Sequence, residues 1–102
     1  MHIKTHENSQ TLTLKFQGPF NFDAIREFNQ VISDLKSDQE HFENIDVDLS
    51  ATHCIDSSAL GMLMILQDDM KHVGKTLKLT NCPETLKHIL MQVHLHEKFL
   101  VD

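Results

Sequence analysis

Glycine is scarce in this chain. Gly18, Gly61 and Gly74 are the only three among 102 residues. That scarcity excludes a phosphate-cradling loop, which needs spaced glycines to bring backbone N–H groups against a phosphate. Gly74-Lys75-Thr76 ends like such a loop but lacks the upstream glycine. Cysteine is scarcer still. Cys54 and Cys82 do not make a disulfide framework, and both read as small, buried apolar residues in a reducing compartment. No apolar run approaches the ~18 residues needed to cross a bilayer. Met1-His2-Ile3-Lys4-Thr5-His6-Glu7 lacks the apolar core of a signal peptide. The expectation is a cytoplasmic protein without membrane insertion. Positive charge is short too: nine Lys and Arg against fifteen Asp and Glu give a net charge of -6. This balance argues against nucleic-acid or anionic-membrane surfaces and permits a basic protein partner. There is no Gly-x-Ser-x-Gly elbow and no His/Asp set spaced to serve a serine, so no enzyme is expected.

What is present is ordinary globular composition, 40% hydrophobic and 24% charged, in a length that suits one domain over residues 1–102. Residues 2–7 fit an edge strand. Leu12, Leu14 and Phe16 alternate along residues 11–17, and Asn8-Ser9-Gln10 reads as the hairpin turn between the two. Asn21 or Asp23 caps a helix whose apolar stripe is Ala24, Ile25, Phe28, Val31, Ile32 and Leu35. Ser37-Asp38-Gln39-Glu40 is a polar loop. Ile45, Val47 and Leu49 share one face of the next strand. A helix over 57–73 closes on Gly74, a strand runs over 76–80, and Pro83 starts a helix carrying Leu86, Ile89, Leu90 and Val93. Phe99-Leu100-Val101 is a short last strand or an ordered tail. The order β-β-α-β-α-β-α predicts an α/β fold: a mixed sheet of 4–5 strands packed with about 3–4 helices.

Histidine is plentiful, at eight. His2 with His6, or His88 with His94 and His96, invites a metal reading, but no Cys-x-x-Cys or His-Glu-x-x-His spacing supports one. No metal and no cofactor are expected. So many histidines would make binding mildly sensitive to pH.

The densest signal is Ile55-Asp56-Ser57-Ser58-Ala59-Leu60-Gly61, which follows the strand end Asp48-Leu49-Ser50. Asp56 sits where a helix N-cap belongs, with two hydroxyls behind it. Taken alone, these are a cap and first-turn serines. A phosphate added there would meet the orphan N–H groups and the positive end of the helix dipole. Leu60, Leu63, Met64 and Leu66 repeat at core spacing. Gly61, costly inside a helix, predicts close approach by another backbone or by a partner.

This stretch resembles the signature of STAS domains, specifically the bacterial single-domain anti-sigma-factor antagonists. Ala59 stands where Gly is commoner, and Pro19-Phe20-Asn21-Phe22 replaces polar or acidic residues. The resemblance implies a STAS-like fold and a partner-switching phosphoprotein of signal transduction and transcription regulation. It makes Ser57 the acceptor of a serine kinase, with Ser58 the runner-up. It implies a serine-kinase/anti-sigma factor or a kinase-bearing response regulator as partner, and a PP2C-type phosphatase for reset. The expected partner surface is Asp56, Ser57, Ser58, Ala59, Gly61, Met62 and Phe20. Two rivals stay open: a structural STAS subunit of a transport or scaffold complex, and a small nucleotide- or lipid-binding module.

Overall fold

The computed structural model describes residues 1–37, 42–52, 54–94 and 99–101. Five strands form one sheet: β1 (His2–Asn8), β2 (Thr11–Gln17), β3 (Asn44–Ala51), β4 (Thr76–Thr80) and β5 (Leu100–Val101). Three α-helices connect them: α1 (Ile25–Ser37), α2 (Ser57–His72) and α3 (Glu84–Gln92), with a 3-10 turn at Phe22–Ala24 before α1. Strand order across the sheet is the order along the chain. β1 and β2 are antiparallel and every later pair is parallel, which requires a helical crossover each time. The expected mixed α/β sheet is therefore present, with Leu100–Val101 as a true fifth strand.

Register places the apolar residues on a single face. Leu12 pairs with Ile45 and Leu14 with Val47; Ile45 pairs with Leu77 and Val47 with Leu79. All of these are buried, in one cluster with Phe28 and Ile32 of α1, Leu63 and Leu66 of α2, and Leu86 and Leu90 of α3. Phe16, Phe20 and Phe28 meet at the centre, with ring centroids 5.0–6.2 Å apart. The opposite face is polar, with Thr13, Asp46 and Lys78 in register across three strands.

Element ends follow local chemistry. Asn21 caps the 3-10 turn, its side-chain oxygen accepting from the Asp23 N–H at 3.0 Å. At the end of α2, Gly74 takes φ 76°, Lys75 N–H donates to the Met70 carbonyl, and Gly74 N–H donates to the Lys71 carbonyl. These two bonds make a Schellman motif, which explains the stop expected there. Pro83 falls one position earlier than expected: it is the N-cap of α3, and the helix begins at Glu84. Lys75 is buried and donates to the Phe42 carbonyl, so its role is to join β4's entry to the β3 side of the core. The polar loop at 38–40, and His96, lie outside the described residues.

Candidate functional site

β3 carries the chain to the carboxyl edge of the sheet, where α2 starts. The intervening loop is held by bonds from several directions. Thr52 is fully buried, and its hydroxyl donates to the Phe16 carbonyl at 3.0 Å. Gly18 N–H donates to Ala51 O, Phe20 N–H to Cys54 O at 2.8 Å, and Asp56 N–H to Phe20 O at 3.3 Å. Phe20 and Ile55 form an isolated parallel bridge. The pairing of β2 with β3 thus continues beyond both strands and stops only at Asp56.

Asp56 is the N-cap of α2, with extended backbone (φ -110°, ψ -177°), and its carboxylate accepts from the Ala59 N–H at 3.2 Å. Ser57 is the first helical residue and is exposed; Ser58, the second, is half-buried. Gly61 and Ile65 follow Ser57 at helical intervals of four, both exposed. A Cβ placed on Gly61 would meet no atom within 4 Å. The close neighbour expected at Gly61 is therefore not found among the described residues, and the exposed stripe Ser57-Gly61-Ile65 is smooth at its middle.

Three residues expected at a partner surface have side chains in the core. Phe20 is 0% exposed, Ala59 0% and Met62 4%. The correction for Phe20 is one of phase. Alternation through Leu12, Leu14 and Phe16 continues inward to Phe20, and the 3-10 turn then rotates Phe22 outward, to 63% exposure. Ala59 and Met62 lie on the side of α2 that faces the sheet. Cys82 is buried as expected, and burial pushes its thiol above its ordinary range. Cys54 is exposed, against expectation, because it sits in the loop. It shares a cavity of about 350 Å³ with Asn21, Asp56, Pro83, Thr85 and Ile89 at the carboxyl edge. Thr52 and Phe22 were missed by motif reading: Thr52 breaks the strand alternation, and Phe22 shares the parity of the buried Phe16 and Phe20, so only the 3-10 turn accounts for its exposure.

The strand ends beside the site are tied together by Asp48. Its carboxylate accepts from the Ser50 N–H at 2.9 Å and the Asn81 amide at 3.1 Å. Partial burial works to raise its pKa, but these bonds and the charge of Lys15 outweigh burial and hold it below the ordinary 3.8.

Among the described residues no helix is long and apolar enough to cross a membrane, and no three His, Cys, Asp or Glu gather as a metal site. The STAS-domain family model matches residues 2–102. A STAS-domain containing protein of Pseudomonas aeruginosa is 30% identical over 95 residues, covering 93% of this chain and 91% of that protein. Solved structures share the fold at low identity. An anti-sigma factor antagonist from Mycobacterium paratuberculosis superimposes with TM-score 0.83 at 13% identity, covering 98% of this chain and 83% of its own. The Bacillus cell fate determinant SpoIIAA in its phosphorylated form gives 0.74 at 16%, covering 99% and 91%. The murine Slc26a9 anion transporter gives 0.79 at 17%, covering 94% of this chain and 16% of the transporter. The buried alternation of β2 to β4, the loop zipped to Asp56 and the match along nearly all residues agree: the chain belongs to the STAS domain family.

Proposed function

We propose that this protein is a phosphorylation-switched regulator of the anti-sigma-factor antagonist type. Unphosphorylated at Ser57, it binds and sequesters a serine-kinase/anti-sigma factor or a kinase-bearing response regulator; phosphorylation at Ser57 releases that partner, and a PP2C-type phosphatase restores the binding form. The observation that carries this reading is the placement of Ser57: exposed, first in its helix, directly behind the Asp56 cap, where a loop fixed to the sheet ends. The chemistry is electrostatic. A phosphoserine brings a charge of about -1.5 to -2 and three acceptor oxygens. First-turn N–H groups and the helix dipole accommodate it without unfolding the domain. A partner seated over the same helix start meets an unpaired dianion beside the Asp56 carboxylate. Such juxtaposition costs several kcal/mol, and each ~1.4 kcal/mol is tenfold in affinity.

The test is the mass of the protein isolated from its own cells. A species heavier by one phosphoryl group, mapping to Ser57, is expected. Ser57→Ala should abolish labelling by the cognate kinase and Ser58→Ala should leave it intact. The opposite pattern would move the acceptor to Ser58, and no phosphorylated species would sink the reading. The cavity beside Cys54 and Asp56, at the carboxyl edge of the sheet, favours one second reading, a small-ligand module. Nucleotide or lipid binding by the isolated chain, with Ser57 unmodified in cells, would favour it.

A further inference from the structure

The chain has six phenylalanines. Phe16, Phe20, Phe28, Phe42 and Phe99 are all buried, at no more than 6% exposure, and Phe22 alone is out in solvent at 63%. A single exposed apolar side chain is ordinary on any surface. The setting of this one is particular. Phe22 opens the 3-10 turn, which is closed by the Asn21 cap and by Ala24 N–H donating to the Asn21 carbonyl at 3.0 Å. Two residues back, Phe20 is bonded through its N–H and carbonyl to Cys54 and Asp56. The exposed ring therefore stands on the segment that is zipped to the acceptor loop, at the same edge of the sheet as Ser57. Ile65, 57% exposed, lies on the same side of α2 as Ser57 and Gly61.

We propose that Phe22 is the apolar anchor by which this protein seats itself on the serine kinase that acts on Ser57, and that it selects that kinase from others. The inference rests on the reading of Ser57 as a phosphoacceptor. The cap residues themselves, Asp56, Ser57 and Ser58, are all polar. Discrimination between related kinases needs a feature they do not all fit, and a large aromatic side chain is the commonest anchor of that kind. Only two side-chain torsions are frozen when it docks, and its turn is already rigid, so little ordering entropy opposes binding. Continuity with the acceptor loop argues for the occupant: a kinase that reaches Ser57 works at the sheet edge to which the segment carrying Phe22 is bonded.

The probe is the kinase purified from the protein's own cells by its ATP-dependent labelling of Ser57. KM and kcat are measured with the unaltered protein, Phe22→Ala, Phe22→Leu and a distant control, Met91→Ala, which removes a side chain 58% exposed on α3. Phe22→Ala should raise KM about tenfold or more at unchanged kcat, the equivalent of ~1.4 kcal/mol of lost docking. Phe22→Leu should recover most of that loss, Met91→Ala should change nothing, and all four proteins should melt together. Normal KM for Phe22→Ala on a labelled Ser57 overturns the anchor and leaves the acceptor standing. A raised KM that tracks a fallen melting temperature also overturns it, by making the role structural. Absence of any Ser57 labelling removes the acceptor reading and the anchor with it.

Discussion

Ser57 and Asp56 divide the work at the start of α2. Asp56 is engaged with Ala59 N–H, so it stabilises the helix whether or not Ser57 is modified. Ser57 is exposed at the first helical position, so its side chain can change with little effect on packing. This separation makes function and stability measurable apart. Ser57→Asp and Ser57→Glu should weaken partner binding, though less than phosphate does, because each adds one charge and not nearly two. An acidic group in the first turn gains about 0.3–1 kcal/mol from the helix dipole, partly cancelled here by the Asp56 carboxylate. Titration calorimetry should show a large loss of affinity, and heat denaturation an almost unchanged midpoint. Affinity falling only in step with stability would assign the serine to folding.

Helix α2 contains a glycine that its own fold does not require. Gly61 has helical backbone and open space where a Cβ would stand. Gly61→Ala should therefore stabilise the domain by about 0.5–1 kcal/mol, raising the melting temperature by several degrees. If a partner backbone approaches there, the same variant should bind it less well. A more stable protein with undiminished affinity would show that Gly61 is no contact. At the strand ends, Asp48 predicts a pH dependence. Its pKa is lowered in the fold, so its contribution is present above the ordinary 3.8 and is lost as pH falls through the folded value. Asp48→Asn should thus be less stable than the unaltered protein near neutrality, and urea melts should converge as the pH is taken well below 4. A gap that widens on acidification would contradict the bonding of Asp48 to Ser50 and Asn81.

At the scale of the whole molecule, one face of the sheet carries the core and the other faces solvent. Leu63→Ala, at a 0% exposed position, should cost about 2–5 kcal/mol in denaturant melts. His6→Ala, on the polar face of β1, should stay within about 0.5 kcal/mol. This division was legible in the sequence, because Leu12-Leu14-Phe16, Ile45-Val47-Leu49 and Leu77-Leu79 alternate with polar residues and two-residue periodicity reports a single buried face. The α2 cap and stop were legible for the same kind of reason: Asp56 and Gly74 act through bonds only a few residues away. What escaped was set by distant partners or by a change of local twist. Thr52 is buried because Phe16, thirty-six residues earlier in sequence, offers it a carbonyl. Phe20, expected at the surface, follows the strand phase into the core, and Phe22 is turned outward because a 3-10 turn interrupts that phase.

The strand order has a consequence for biogenesis. Each strand lies beside the one synthesised just before it, so the sheet grows by accretion and never holds a gap for a later segment to fill. A chain leaving the ribosome amino end first finds each new strand's template already laid down. Contacts between neighbouring strands stay as local as parallel crossovers allow, which favours quick, orderly folding. Ser57 emerges only after the three strands on its amino-terminal side are available to fix its loop, while the core is completed only when Leu77, Leu79, Leu86, Leu90 and Phe99 have followed.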